Sequence, residues 1–98
     1  MKEILPTEVE TLVKEKSPIN IIDVREVDEV KTAKIPTAIH IPLGLLEFRL
    51  QDLDKTKEYI TVCRSGGRSS KAAKLLEDRG FKVINMTGGM LEYKGPTE

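Results

Sequence analysis

Apolar runs alternate with amphipathic stretches along the whole chain. Near-continuous apolar or β-branched segments, of the kind buried on both faces of a parallel sheet, predict strands at 19–24, 38–41, 58–63 and 81–86. Apolar residues at helical spacing and short charged stretches predict helices at 5–16, 26–33, 42–53 and 67–79, and a short one that ends near Tyr93. This order predicts an α/β domain with a small parallel sheet and helices on both of its faces.

Capping residues mark the ends of several of these helices. Thr7 is the candidate N-cap of the first helix, with Pro6 before it, and Pro42 suits the first turn of the third helix. Gly80 follows the fourth helix and predicts its end, because glycine tolerates the left-handed backbone that commonly follows a helix.

Length and composition limit the possible functions. With 98 residues, the chain is predicted to form a single domain, 1–98, that can bury one core. Sixteen basic residues balance sixteen acidic ones, so no overall field attracts nucleic acid or an anionic membrane. One cysteine and one histidine exclude an internal disulfide and argue against a metal site. Because no leader-like or membrane-spanning apolar run is visible, we expect a soluble, cytoplasmic protein. We also expect a monomer that uses no cofactor.

The candidate chemistry is concentrated around Cys63, the only cysteine, at the end of a predicted strand and just before a helix. Gly66 and Gly67 suit an unusual backbone, so the intervening loop can turn its N–H groups inward as an anion cradle. Arg64 and Arg68 add positive charge. A helix N-terminus and nearby cations lower the pKa of a thiol, and the thiolate is the nucleophile. An inert core cysteine would be expected inside the apolar run, so its position favours a reactive thiol.

Two kinds of enzyme use a cysteine in such an anion-binding loop: those that bind a phosphate and those that bind a smaller anion. Tyrosine-type phosphatases carry an arginine six positions after the cysteine, and usually a histidine just before it. Here that sixth position is Ser69, the arginine falls one place earlier at Arg68, and Val62 replaces the histidine. A loop one residue shorter suits a smaller anion, such as a sulfur atom bound to Cys63. The short loop and the absence of a second cysteine disfavour a phosphatase or an arsenate-reductase-like enzyme.

Four segments resemble the single-domain rhodanese family, the thiosulfate or persulfide sulfurtransferases, over almost the whole chain. They are IIDVRE at 21–26, KIPTAIHIPL at 34–43, VCRSGGRS at 62–69 and MTGGMLEYKG at 86–95. Three residues depart from the family pattern: Lys34 stands where histidine is frequent, Thr37 where glycine is usual, and Tyr93 where tryptophan is common. None lies in the loop around Cys63. The resemblance implies a rhodanese-like parallel sheet, in agreement with the pattern above.

The resemblance also implies a two-step reaction on Cys63. Its thiolate takes the outer sulfur from a small anionic donor, such as thiosulfate or a persulfide, and passes it to an acceptor such as cyanide, a thiol or a partner protein. Because no second cysteine is present, that acceptor is external. Arg64 and Arg68 are candidates for binding the donor's oxygens, since guanidinium groups match oxyanions. The remaining predicted donor-binding groups are backbone N–H groups: Ser65, Gly66, Gly67, Arg68 and Ser69.

Four residues receive structural roles in this interpretation. Ser69 is a candidate helix cap. Asp23 and Arg25 are expected near the same sheet edge, with Asp23 as the structural partner of an arginine, because buried charges need pairing. His40 has no patterned partner and is interpreted as a packed or surface histidine. An alternative function remains open: a sulfur-relay or regulatory binding module that only partner proteins load.

Overall fold

Five parallel strands form one sheet in the computed structural model, which describes residues 1–98. The strands are β1 (Lys2–Ile4), β2 (Asn20–Asp23), β3 (Ile39–His40), β4 (Glu58–Val62) and β5 (Lys82–Met86). Their order across the sheet is β1-β5-β4-β2-β3, and every neighbouring pair is parallel. The predicted α/β class with a parallel sheet is therefore confirmed.

Five α-helices and one 3-10 helix connect the strands. They are α1 (Pro6–Lys14), α2 (Val27–Thr32), α3 (Leu43–Leu46), the 3-10 helix (Glu47–Asp52), α4 (Gly67–Asp78) and α5 (Gly89–Glu92). Gly80 has a φ of +90°, so the predicted end of α4 rests on the left-handed backbone that glycine tolerates. No helix has both the length and the apolar character needed to cross a bilayer.

The strands bury side chains on both faces of the sheet, because successive residues of a strand point to opposite sides. Ile22 belongs to a core cluster that contains Leu46 of α3 and Leu76 of α4, whereas its neighbour Ile21 belongs to a second cluster with Val9 of α1. Helices therefore cover both faces, as predicted. Two buried faces also explain why the strand sequences lack a polar alternation.

Strand β1 was not predicted from the sequence. It lies at the edge of the sheet and pairs with β5, with Ile4 opposite Met86. Only Ile4 of its three residues is even partly buried. A short edge strand of this kind shows no apolar run, and its partner decides its conformation.

Two details of the helix prediction were wrong. Helix α1 begins at Pro6, with Leu5 as its N-cap, so Thr7 lies inside the first turn rather than at the cap. Proline suits this first position because it lacks an N–H and its φ is already helical. The predicted helix over 42–53 divides into α3 and the 3-10 helix. Leucines spaced three and four residues apart fit both helix types, so the pattern does not distinguish them.

Candidate active site

The loop after β4 places Cys63 at the carboxyl edge of the sheet, where ligands of parallel sheets bind. Val62 ends β4 directly opposite Asp23, the last residue of β2. Cys63 follows and is only 1% exposed, within the core cluster that includes Ala72 and Ala73 of α4. Arg64 and Ser65 are exposed, so the sulfur lies beneath a short polar loop at the surface.

Two groups at the start of α4 contact the sulfur of Cys63. The backbone N–H of Gly66 donates a hydrogen bond to Sγ at 3.0 Å. The thiol in turn lies 3.4 Å from the hydroxyl oxygen of Ser69, which donates to the carbonyl of Gly66 at 3.2 Å. The side chain of Ser69 is therefore positioned to exchange hydrogen bonds with the sulfur.

These contacts lower the pKa of the Cys63 thiol. Burial acts in the opposite direction and raises the pKa, because it removes the charged form from water. The hydroxyl of Ser69 and the backbone N–H groups of Ser69, Gly66 and Ser65 outweigh burial, because all of them stabilise a negative sulfur. A thiol with this environment forms the nucleophilic thiolate more readily than an ordinary cysteine.

The two glycines of the loop have different roles. Gly66 has a φ of +107° and is the N-cap of α4, so its left-handed backbone is one that other residues resist. Gly67 begins α4 without a positive φ, and a methyl group placed on it would meet no atom within 4 Å. The predicted conformational need for glycine is confirmed at Gly66 and is wrong at Gly67.

Ser69 was also predicted to cap α4, and that prediction was wrong. The helix begins at Gly67, and its N-cap, Gly66, makes no side-chain capping bond. Ser69 instead lies within the first turn, where its side chain is fully buried against Cys63. Its carbonyl accepts a hydrogen bond from the hydroxyl of buried Thr61 at 3.0 Å, which ties the first turn of α4 to β4.

The start of α5 anchors the loop from the other side. The N–H of Met90 donates to the carbonyl of Cys63 at 2.8 Å, and the N–H of Leu91 donates to the carbonyl of Arg64 at 3.0 Å. Gly89 precedes them with a φ of +60°, and a Cβ there would overlap the carbonyl of Arg64 and lie 2.6 Å from that of Cys63. Sequence reasoning gave Gly89 no role, although paired glycines before a short helix were the available signal.

The two arginines of the loop have different surroundings. Arg68 forms a bidentate ion pair with Glu29 of α2: its Nη1 lies 2.6 Å from Oε1 and its Nη2 lies 2.7 Å from Oε2. This pair lowers the pKa of Glu29 to about 2, chiefly through the hydrogen bonds from Arg68. Arg64 is exposed and forms no salt bridge. Sequence reasoning placed both arginines at the site but missed Glu29.

Asp23 and Arg25 form a buried pair beside the site. Nη2 of Arg25 lies 2.7 Å from Oδ2 of Asp23, and the two residues are 6% and 1% exposed. The same guanidinium also donates to the carbonyls of Glu29 and Ala33, at 3.3 and 2.7 Å. Asp23 therefore orients Arg25, which holds α2 in place, and neither side chain hydrogen-bonds to the sulfur of Cys63. Nε2 of His40 packs 2.7 Å from the carbonyl of Arg25.

Comparison with known proteins identifies the family. The sequence model of the rhodanese-like domain family matches residues 5–96. The chain belongs to the rhodanese-like domain family. Its loop around Cys63 lies within this match, so the site described above is the loop of a rhodanese domain.

Several relatives of this rhodanese domain carry sulfur-transfer names. "Putative sulfurtransferase YtwF" of Bacillus subtilis is 40% identical over 98 residues, which cover all of this chain and 95% of the relative. "Putative sulfur carrier protein YrkF" of the same organism is 46% identical over 81 residues, or 82% of this chain, but only 44% of that relative's length is covered. The crystal structure of a rhodanese-like domain protein from Staphylococcus aureus superimposes with a TM-score of 0.93 at 33% identity, covering 100% of this chain and 97% of that one.

The three departures from the family pattern lie away from the loop contacts. Thr37 adopts a φ of +67°, a left-handed conformation that a β-branched residue resists. Lys34 pairs with Glu98 through both backbone and side chain, with 2.8 Å between Nζ and Oε1. Tyr93 is buried, and its hydroxyl donates to the carbonyl of Pro96 at 2.8 Å. The three therefore act on local packing and backbone strain.

Proposed function

We propose that this rhodanese domain is a sulfurtransferase that moves a sulfane sulfur from a donor such as thiosulfate to an external thiol or to cyanide. The observation that carries the proposal is the environment of Cys63. Its sulfur accepts the N–H of Gly66 at 3.0 Å and lies against the hydroxyl of Ser69 at the first turn of α4. A thiol with its pKa lowered in a ring of N–H groups is suited to nucleophilic attack on an anionic donor.

In the first step, the Cys63 thiolate attacks the outer sulfur of thiosulfate. A new S–S bond forms to Cys63, the S–S bond of thiosulfate breaks, and sulfite leaves with the bonding electron pair. One thiolate and one dianion thereby become one persulfide anion and one sulfite dianion, so charge and atoms balance. The N–H groups of Ser65, Gly66 and Ser69 would stabilise the negative charge before and after transfer.

In the second step, an acceptor thiolate or cyanide attacks the outer sulfur of the Cys63 persulfide. The acceptor leaves as a persulfide or as thiocyanate, and the Cys63 thiolate is restored. Cys63 is the only cysteine of the chain, so the domain cannot release the sulfur by forming an internal disulfide. The acceptor is therefore a small external thiol or a thiol of a partner protein.

Donor binding is assigned to the cationic side of the loop. Arg64 is exposed, directly follows Cys63 and has no acidic partner, so its guanidinium is available to a donor's oxyanion. Arg68 lies on the same loop, but Glu29 occupies its two terminal nitrogens. The backbone N–H groups of Gly67 and Arg68 complete the proposed set of hydrogen-bond donors at the start of α4.

The test is the intact mass of the reduced protein after brief treatment with thiosulfate, beside a Cys63→Ser control. We expect a gain of one sulfur in the wild type only, followed by thiocyanate production when cyanide is added. No gain from a thiol that still alkylates rapidly would reject thiosulfate as the donor. Turnover of a phosphate ester by the wild type, lost in Cys63→Ser, would instead support the phosphatase alternative.

A second candidate function is a sulfur-relay module that accepts sulfur only from protein partners. Two observations favour it: Glu29 already occupies the guanidinium of Arg68, and one relative carries the name of a sulfur carrier protein. A relay module would acquire sulfur from a persulfide-bearing protein but not from free thiosulfate. Comparing the two loading rates by intact mass distinguishes this function from the first.

We also propose that the domain works as a cytoplasmic monomer. A single thiol used as a nucleophile requires a compartment that keeps it reduced. The two edges of the sheet are short, with three residues in β1 and two in β3, and short edges give little opportunity for strand pairing between copies. Light scattering of the purified protein tests the monomer, and a dimer would reject it.

A further inference from the structure

The ion pair between Glu29 and Arg68 lies beside the reactive loop and is absent from the two-step scheme above. Arg68 is the second residue of α4, and Glu29 projects from α2, which follows β2. Both terminal nitrogens of the guanidinium are bound, one to each carboxylate oxygen, at 2.6 and 2.7 Å. The planar fork that would match a donor's oxyanion is therefore already occupied.

Glu29 is itself held in position. Its Oε1 accepts the backbone N–H of Glu26 at 3.0 Å, and its own carbonyl accepts a hydrogen bond from Arg25. The Glu29 side chain is 27% exposed and that of Arg68 is 34% exposed, so the pair lies at the boundary between the protein and solvent. The carboxylate is held by the N–H of Glu26 as well as by the guanidinium of Arg68, so it does not move away freely when a sulfur donor arrives.

The pair also determines how much charge a donor meets. The pKa of Glu29 is lowered to about 2, so the carboxylate stays ionised at every pH at which the thiolate reacts. The hydrogen bonds to Glu29 are the chief cause of the raised pKa of Arg68, and a charge on Cys63 adds to it, so the guanidinium lies within the field of the sulfur. Without Glu29, Arg68 would present a full positive charge at the loop. With Glu29, an incoming anion meets a neutral pair.

We infer that Glu29 is a specificity-determining residue, which makes the domain favour sulfur donors of low negative charge, such as thiol persulfides, over the thiosulfate dianion. The inference rests on the proposed sulfurtransferase function. A thiol persulfide reacts without an oxyanion: the Cys63 thiolate attacks its outer sulfur, the S–S bond breaks, and a thiolate leaves. The proton of a protonated persulfide stays on the transferred sulfur, so one negative charge is present before and after the step. Such a donor does not require the fork of Arg68.

The test compares Glu29→Gln with Asp28→Asn, a matched control on the same helix. Both variants remove one negative charge, but the Asp28 side chain forms no ion pair or hydrogen bond, and only its backbone carbonyl accepts one, from Thr32. The rate of Cys63 loading is followed by intact mass, at several concentrations of thiosulfate and of 2-hydroxyethyl persulfide. Circular dichroism and urea unfolding verify that each variant is folded, and Glu29→Ala serves as a second variant if Glu29→Gln is unstable.

For Glu29→Gln we expect the second-order rate constant for loading by thiosulfate to rise about fivefold, the effect of roughly one partly exposed charge interaction. The gain should appear as tighter donor binding at an unchanged maximal rate and should shrink at high salt, since salt screens exposed charges. Loading by 2-hydroxyethyl persulfide should change less than about twofold, and Asp28→Asn should leave both donors within the same range. A purely structural role for Glu29 would slow both donors together.

The inference is overturned if Glu29→Gln loads thiosulfate no faster than the wild type while both donors still load Cys63. It is equally overturned if Asp28→Asn produces the same gain, because the effect would then reflect overall charge rather than the pair. If neither donor loads Cys63 in the wild type or in any variant, the proposed function itself fails and this inference fails with it. These results are distinguishable from each other in a single set of loading curves.

Discussion

Among the side chains around Cys63, Ser69 lowers the pKa of the thiol most. In the thiol form, the sulfur lies 3.4 Å from the hydroxyl oxygen while the hydroxyl donates to the carbonyl of Gly66 at 3.2 Å. When the thiolate forms, the hydroxyl proton can turn to the sulfur and give up the carbonyl. The change Ser69→Ala removes this donor and leaves the backbone N–H groups in place, so it should raise the pKa of Cys63.

The magnitude follows from the exchange of one hydrogen bond for another. A hydrogen bond to a charged group contributes about 1.5–3 kcal/mol, and the neutral bond to the carbonyl that is lost contributes about 0.5–1.5 kcal/mol. The difference is about 1 kcal/mol in favour of the thiolate, which corresponds to about a fivefold change in its population. We therefore expect Ser69→Ala to alkylate about fivefold more slowly than the wild type, at any pH on the acid side of the thiol titration.

The assay is the rate of alkylation by iodoacetamide as a function of pH, with Ser70→Ala as the control. Ser70 follows Ser69 in the same helical turn, and its side chain makes no hydrogen bond to Cys63. The curve for Ser69→Ala should move to higher pH, whereas the curve for Ser70→Ala should coincide with that of the wild type. Coincidence of all three curves would refute the argument and would leave the backbone N–H groups as the whole cause of the lowered pKa.

The same shift predicts how stability depends on pH. The thiolate is favoured in the folded state, so its stabilisation is fully present above the unfolded thiol's pKa of about 8.5 and is lost as the pH falls through the lowered folded value. The free energy of unfolding in urea, compared between alkaline and mildly acid pH, should show this gain in the wild type. In Ser69→Ala the gain should be smaller. An equal gain in both proteins would contradict the role given to the hydroxyl.

Three further predictions concern the backbone and the buried tyrosine. Gly89→Ala should destabilise the fold by about 1–3 kcal/mol and slow Cys63 loading about tenfold or more, because a Cβ there overlaps the carbonyls that position the loop. Thr37→Gly should stabilise the fold by about 1 kcal/mol in urea unfolding, since it relieves a φ of +67° on a β-branched residue. In a spectrophotometric titration Tyr93 should ionise with a pKa of about 12, raised chiefly by burial, and its contribution to stability should be lost as the pH rises through that value.

Matched controls accompany these changes. Gly44→Ala should have little effect on loading, because Gly44 has no positive φ and a methyl group there meets no atom within 4 Å. Equal effects of Gly44→Ala and Gly89→Ala would contradict the steric argument. Ala38→Gly, next to Thr37, should destabilise the fold. Ala38 has no positive φ to relieve, and glycine increases the conformational entropy of the unfolded chain. The transition assigned to Tyr93 must disappear in Tyr93→Phe, or it belongs to another group.

The amino-acid sequence alone determined the class of fold and the position of the candidate nucleophile. Buried parallel strands are recognisable as apolar runs because both of their faces are covered, and four of the five strands were predicted on that basis. Cys63 was found because a thiol between a strand and a glycine-containing helix start is a local pattern. Gly66 was found for the same reason, since a left-handed backbone is a local requirement.

Only the tertiary structure decided that the edge strand β1 forms and which groups surround the sulfur. β1 depends on its pairing with β5, and the contacts of Gly89 with the carbonyls of the loop join segments more than twenty residues apart in the chain. Glu29 meets Arg68 across 39 residues, so no local pattern could reveal that the arginine was already paired. The loop around Cys63 was therefore recognisable from adjacent residues, whereas the charge beside it depends on how the helices pack around the sheet.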